Sequence, residues 1–146
     1  MIIELNAVPE DIMKAVEILN QYCLEKKIPE KIIFSLKLVL EECGSNIINH
    51  SLKNERDKKI SVFMKKTDNL MIIELRDHGV EFDPTKTNFL ENGNASASEG
   101  GTVGGWGLKL VRQNIDEMHY IRSENTNILT LKKYLPLCYA ERSPDF

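Results

Sequence analysis

The apolar positions of this chain change period several times, and each change marks an element. Residues 1–5, MIIEL, form a short apolar run of the kind a strand shows. Pro9 suits a first helical position, and Glu10 and Asp11 follow it where the helix dipole favours acids. Ile12, Val16, Leu19 and Cys23 then recur at helical spacing. Pro29 opens a second helix in the same way, with a stripe of Ile33, Leu36, Leu40, Cys43 and Ile47 that runs to about Ser51. A charged turn, LKNERDKK, comes next. Residues 60–64 alternate like a half-buried strand, and 66–69 form a turn. Leu70–Leu75 is mostly apolar and reads as a central strand buried on both faces, ending at Asp77-His78-Gly79.

Over 84–103 the periodicity disappears. Asn, Ser, Ala, Thr and Gly dominate there, and six of the eight glycines fall between Gly93 and Gly107. A loop of this length inside a compact domain is usually a lid, a binding loop or a disordered connection. After Gly107, Leu108, Val111 and Ile115 restore a helical stripe, and two short strands follow at about 118–122 and 127–134. The sequence contains no internal repeat. The order strand, helix, helix, strand, strand, lid, helix, strand, strand predicts an α+β fold. Its sheet is mixed and mostly antiparallel, with the helices packed on one face. Residues 1–136 then form the domain and 137–146 a loosely held tail.

Composition narrows the class. A chain of 146 residues with 42% apolar content supports one core, not two. A net charge of −3 provides no basic field for nucleic acid. The three cysteines are odd in number and lack metal spacing, and Cys23 and Cys43 sit on apolar stripes, which points to reduced core thiols. The N-terminus has no basic segment followed by a long apolar run, and no stretch approaches the roughly 20 apolar residues that span a bilayer. The expectation is a soluble cytoplasmic protein with no membrane partner and no direct nucleic-acid partner.

Three constellations carry candidate chemistry. Glu42, Asn46 and His50 stand at i, i+4 and i+8, a stripe bordering the core-facing side of the second helix. A carboxamide there offers a neutral oxygen to a hard cation such as Mg²⁺, and a carboxylate can deprotonate a hydroxyl. The wet edge of an ordinary amphipathic helix gives the same pattern. Asp77-His78-Gly79-Val80-Glu81-Phe82-Asp83-Pro84 leaves the end of a strand. An acid buried there needs a donor, which an adenine amino group can supply, and Gly79 permits close backbone approach. A plain strand-to-turn exit also uses Asp and Gly. Gly104-Gly105-Trp106-Gly107-Leu108 opens a helix, where free N–H groups and the dipole attract phosphate; a hinge before a helix looks the same. Neither a P-loop nor a dinucleotide fingerprint is present.

Taken in order, these segments resemble the anti-sigma regulatory factor serine/threonine kinases, a branch of the histidine-kinase-like ATPases with the Bergerat ATP-binding fold. LEECGSNIINH (40–50) resembles the N box, DHGVEFDP (77–84) the G1 box of this branch, and GGWGLKLVRQ (104–113) the G2 box. The likeness covers roughly 1–135 and is strongest over 40–133. It implies that Asn46 ligates Mg²⁺ between protein and ATP phosphates, and that Glu42 is the general base. It implies that Asp77 binds the adenine amino group, with Gly79 as floor of the base, and that Phe82 is among the cofactor-binding residues. Gly104, Gly105, Gly107 and Leu108 would contact phosphates, and 84–103 would be the ATP lid. His50 would pack or orient. The chain departs from the pattern at Ser51, Gly44, Glu81 and Asn125. None of these removes an implied ATP contact.

The resemblance further implies a kinase whose acceptor is an anti-sigma-factor antagonist with a STAS-type domain. The same protein would bind a sigma factor, exchange partners on phosphorylation, and pair as a homodimer. Two other functions fit the same residues: an ATP-sensing partner-binding module without kinase activity, and the ATPase half of a histidine-kinase-type system. The second of these lacks a preceding helix pair with a phospho-acceptor histidine.

Overall fold

The computed structural model describes residues 1–86 and 102–136, with 102–106 described by backbone alone. In chain order the elements are β1 (Ile2–Asn6), α1 (Pro9–Glu25), α2 (Glu30–Asn46), β2 (Lys59–Lys66), β3 (Leu70–Asp77), α3 (Thr102–Asn114), β4 (Glu117–Ser123) and β5 (Thr126–Tyr134). A π-helical turn, Ile47–Ser51, prolongs α2, and a 3-10 turn spans Pro84–Lys86. The strands form one open sheet in the order β1-β2-β3-β5-β4. Every pairing among the described residues is antiparallel, where the element order suggested a mixed sheet.

The helical stripes fold as their spacing predicts. Ile12, Val16, Leu19 and Cys23 of α1 are buried, as are Ile33, Leu36, Leu40 and Cys43 of α2. They pack on one face of the sheet, against Ile60, Val62 and Met64 of β2, Met71, Ile73 and Leu75 of β3, and Leu129 and Leu131 of β5. Each such side chain contributes about 1.5–3 kcal/mol on leaving water. Among the described residues no helix covers the other face, so β3 is not buried on both sides. Leu70, Ile72 and Glu74 are half-buried and Arg76 is exposed, alternating with a fully buried row. Gly44, a weak helix former, faces α1 so closely that a Cβ there would lie 2.6 Å from Ile12 Cδ1.

Two boundaries differ from expectation. Helix α3 begins at Thr102, so Gly104, Gly105 and Gly107 lie within its first two turns and not ahead of it. Of the expected lid, 84–86 is a 3-10 turn and 102–103 is helix, and the remainder lies outside the described residues, as does the tail 137–146. The β4–β5 hairpin turns through Glu124 and Asn125, both with positive φ (51° and 59°). Asn tolerates that conformation better than most residues, which explains how it serves where a glycine is common. Among the described residues, no helix is long and apolar enough to cross a membrane.

Candidate functional site

The site is built from the end of α2 inward. Glu42 and Asn46 lie one turn apart, as the spacing requires. Beyond Asn46 the helix widens into the π turn, closed by Leu52 N–H to Ile47 O at 2.8 Å. One extra residue per turn shifts the inward-facing position from i+4 to i+5. Ser51, at 2% exposure, therefore follows Asn46 into the interior. His50 is displaced outward and stacks its ring on Phe82, with centroids 5.1 Å apart and planes 23° from parallel. Burial and the nearby Lys53 hold the His50 imidazole below its ordinary pKa, so the stacked ring is neutral at physiological pH. The expected Glu42–Asn46–His50 stripe thus breaks at its third member, whose ring packs on Phe82.

Asn46 is 6% exposed, and its Nδ2 is buried without a hydrogen-bond partner. A buried donor left unpaired costs about 1–3 kcal/mol. An acceptor in the adjoining cleft, water or ligand, would complete it.

Asp77, at the end of β3, is 2% exposed. Its Oδ1 accepts hydrogen bonds from the Ser51 hydroxyl, from Gly79 N–H at 2.9 Å and from Asn127 Nδ2 at 3.1 Å. All three fall on one oxygen; Oδ2 takes none of them. Gly79 is a steric requirement: a Cβ there would overlap the backbone and hydroxyl of Ser51. The close approach this glycine permits is therefore to the π turn. Val80 N–H donates to Ser51 O at 2.9 Å and closes the same contact.

Asn46, Asp77 and Phe82 line one cleft between α2 and the sheet, together with Cys43, Tyr120 and Asn127. The cleft encloses about 310 Å³ of empty space when its open mouth is included. The Cys43 thiol, pushed up to about 12 by burial and then by Glu42, is inert as a nucleophile at neutral pH.

One turn back along α2, Glu42 meets the start of α3. A Cβ on Gly107 would overlap Glu42 Oε2, so only glycine lets the carboxylate rest against that helix. Burial, and then the neighbouring Glu41, raise the Glu42 carboxyl above its ordinary value. A base tuned upward is better matched to proton transfer near neutral pH. Gly104 lies in the first turn of α3, whose N–H groups have no intrahelical partners, and Gly105 follows it. Leu108 is 2% exposed, so its side chain belongs to the core and only its backbone can face a ligand.

Four participants were not anticipated from the sequence. Ser51 and Asn127 complete Asp77, while Tyr120 and Arg122 of β4 hold Asn127. Asn127 left a readable signal, a polar residue on the same face as Leu129 and Leu131 in an alternating strand. Among the described residues no three His, Cys, Asp or Glu side chains form a metal cage. A cation held at Asn46 would need its other ligands from phosphate and water, as Mg²⁺ commonly takes them. The Asn46 carboxamide oxygen would be the protein's ligand there, and the unpartnered Nδ2, a donor, would be completed by a phosphate oxygen beside it.

A family model described as the histidine kinase-like ATPase domain matches residues 5–133. The chain is 26% identical over 116 residues, 80% of each chain, to a Bordetella bronchiseptica protein named serine/threonine-protein kinase BtrW. Its fold matches a chain of the SiaB–SiaC complex from Pseudomonas aeruginosa with a TM-score of 0.63, at 13% identity, over 92% of this chain and 88% of that one.

Proposed function

The chain belongs to the histidine kinase-like ATPase family, and we propose that within it the chain is a serine/threonine protein kinase that acts on a partner protein. Family membership implies ATP as the ligand. The observation that carries the reading is the convergence on one region of Asn46 and Asp77 in the cleft, with Glu42 against Gly107 one turn away. The likeness to a protein named as a serine/threonine kinase supports transfer to a hydroxyl. The fold likeness to a chain of a two-protein complex is in keeping with a protein partner.

In this reading Asp77 Oδ2 accepts from the adenine amino group, and Phe82 lies beside the base with His50 stacked on it. Asn46 turns its carboxamide oxygen to Mg²⁺, and the amides opening α3 meet the phosphates. Bound there, MgATP supplies the phosphoryl group and the charge neutralisation that its transfer depends on. Glu42 accepts the proton of the serine or threonine hydroxyl. The acceptor is a STAS-type anti-sigma-factor antagonist, and the unphosphorylated antagonist competes with a sigma factor for this protein.

The test is γ-labelled ATP with the purified STAS-domain proteins of the host cell. Acid-stable, alkali-labile label on one of them, absent with Glu42→Ala, is the expected result. ATP binding without transfer to any of them would contradict the kinase and leave an ATP-dependent partner-binding module.

A further inference from the structure

The cleft's polar floor extends beyond the residues that face it. Across the sheet, Asp77 pairs with Asn127 and Asn127 with Arg122, so three polar residues stand abreast on β3, β5 and β4. Directly opposed residues of antiparallel strands lie close enough for side chains to interact, and here they form a relay. Arg122 Nη1 donates to Asn127 Oδ1 at 2.8 Å and to Gly79 O at 3.0 Å. Tyr120 OH adds a second donor to Asn127 Oδ1. Arginine cannot accept a hydrogen bond, so the oxygen end of Asn127 is pinned toward β4. Its Nδ2 is thereby aimed at Ser51 Oγ (2.8 Å), Val80 O (2.8 Å) and Asp77 Oδ1 (3.1 Å).

We propose that Arg122 is a positioning residue for nucleobase selection. Through Asn127 it fixes which oxygen of Asp77 faces the cleft, and through Gly79 O it holds the 77–80 turn against β5. The inference rests on the nucleotide-site reading above. It adds to that reading a dependence of base choice on a β4 side chain placed behind Asn127. A carboxylate oxygen held in one place favours a purine with a 6-amino donor over one with a 6-oxo acceptor. Once the turn loosens, that preference falls while phosphate contacts elsewhere persist.

The test compares ATP with ITP, which differ at the purine 6-position edge, by calorimetry in the presence of Mg²⁺. Wild type, Arg122→Ala and Arg122→Lys are used, each with a melting temperature. Arg122→Ala is expected to lose about tenfold in ATP affinity and twofold or less in ITP affinity. Lysine, which keeps a charged donor, should restore most of the preference, and melting should shift by only a few degrees. Equal losses for both nucleotides, or no loss, overturn the assignment while leaving the nucleotide site intact. A wild type that binds neither nucleotide overturns the nucleotide reading itself, and this inference with it.

Discussion

Asp77→Asn isolates the recognition chemistry from the fold. The three donors on Oδ1 are Ser51 Oγ, Gly79 N–H and Asn127 Nδ2. They pin the orientation of the introduced amide, because an inverted carboxamide would set its own N–H groups against two N–H donors. The new side chain therefore keeps its oxygen where Oδ1 was and places an amino group at the Oδ2 position, which in the proposed reading accepts from adenine. Within the fold, three charge-assisted bonds become neutral ones, each weaker by about 1 kcal/mol, while the cost of burying a charge is relieved. The net loss should be about 1–2 kcal/mol, a drop of roughly 5 °C for a domain of this size. At the ligand the change is larger. An acceptor is lost and two donors face each other, costing about 3 kcal/mol, or roughly 150-fold in ATP affinity. The same amino group can donate to a 6-oxo purine, so ITP affinity should hold or rise. Calorimetry with both nucleotides, together with a melting curve, measures all three quantities. Unchanged ATP affinity, or equal losses of ATP and ITP, would refute the reasoning.

Glu42→Gln should abolish phosphoryl transfer and leave ATP affinity within about twofold. Because the fold raises this carboxyl's pKa, the charged form is disfavoured by folding at neutral pH. The glutamine variant should therefore melt slightly higher at pH 7–8, by less than about 1 kcal/mol, with the advantage vanishing as the wild-type carboxyl protonates in acid. Gly79→Ala forces a Cβ into the Ser51 backbone and should cost about 1–3 kcal/mol or more in a denaturant titration, with ATP binding lost alongside. Gly44→Ala gains up to about 1 kcal/mol of helix propensity but meets the buried Ile12 side chain. A net loss of about 1 kcal/mol is expected, and adding Ile12→Val, which removes Cδ1, should recover it.

What the sequence disclosed follows from the range of the interactions involved. Ile12, Val16, Leu19 and Cys23 are one helical face, and a local period was enough to find them in the core. The same holds for Ile60, Val62 and Met64. Glu42 and Asn46 are one turn apart in any α-helix, so their alignment was legible. Ser51 was not, because the π turn that carries it inward forms against the 77–80 turn, whose nearest residues are 26 positions away in sequence. Placing His50 third in the stripe assumed 3.6 residues per turn where the chain uses more. The exposed face of β3 was misjudged because apolar Leu70, Ile72 and Ile73 look alike in sequence whether one face or two are covered. Arg122 and Tyr120 were invisible because nothing local ties them to Asp77. The register of β3 against β5, and of β5 against β4, brings the three together.

The most direct measurement is ATP binding by calorimetry with and without Mg²⁺, on the wild type and on Asn46→Ala. If Asn46, buried with its Nδ2 unpartnered, completes a nucleotide site, the wild type binds more tightly with Mg²⁺ and the variant loses that increment. Equal affinity in wild type and variant, with the same response to Mg²⁺, would contradict the placement of the phosphates and cation beside α2.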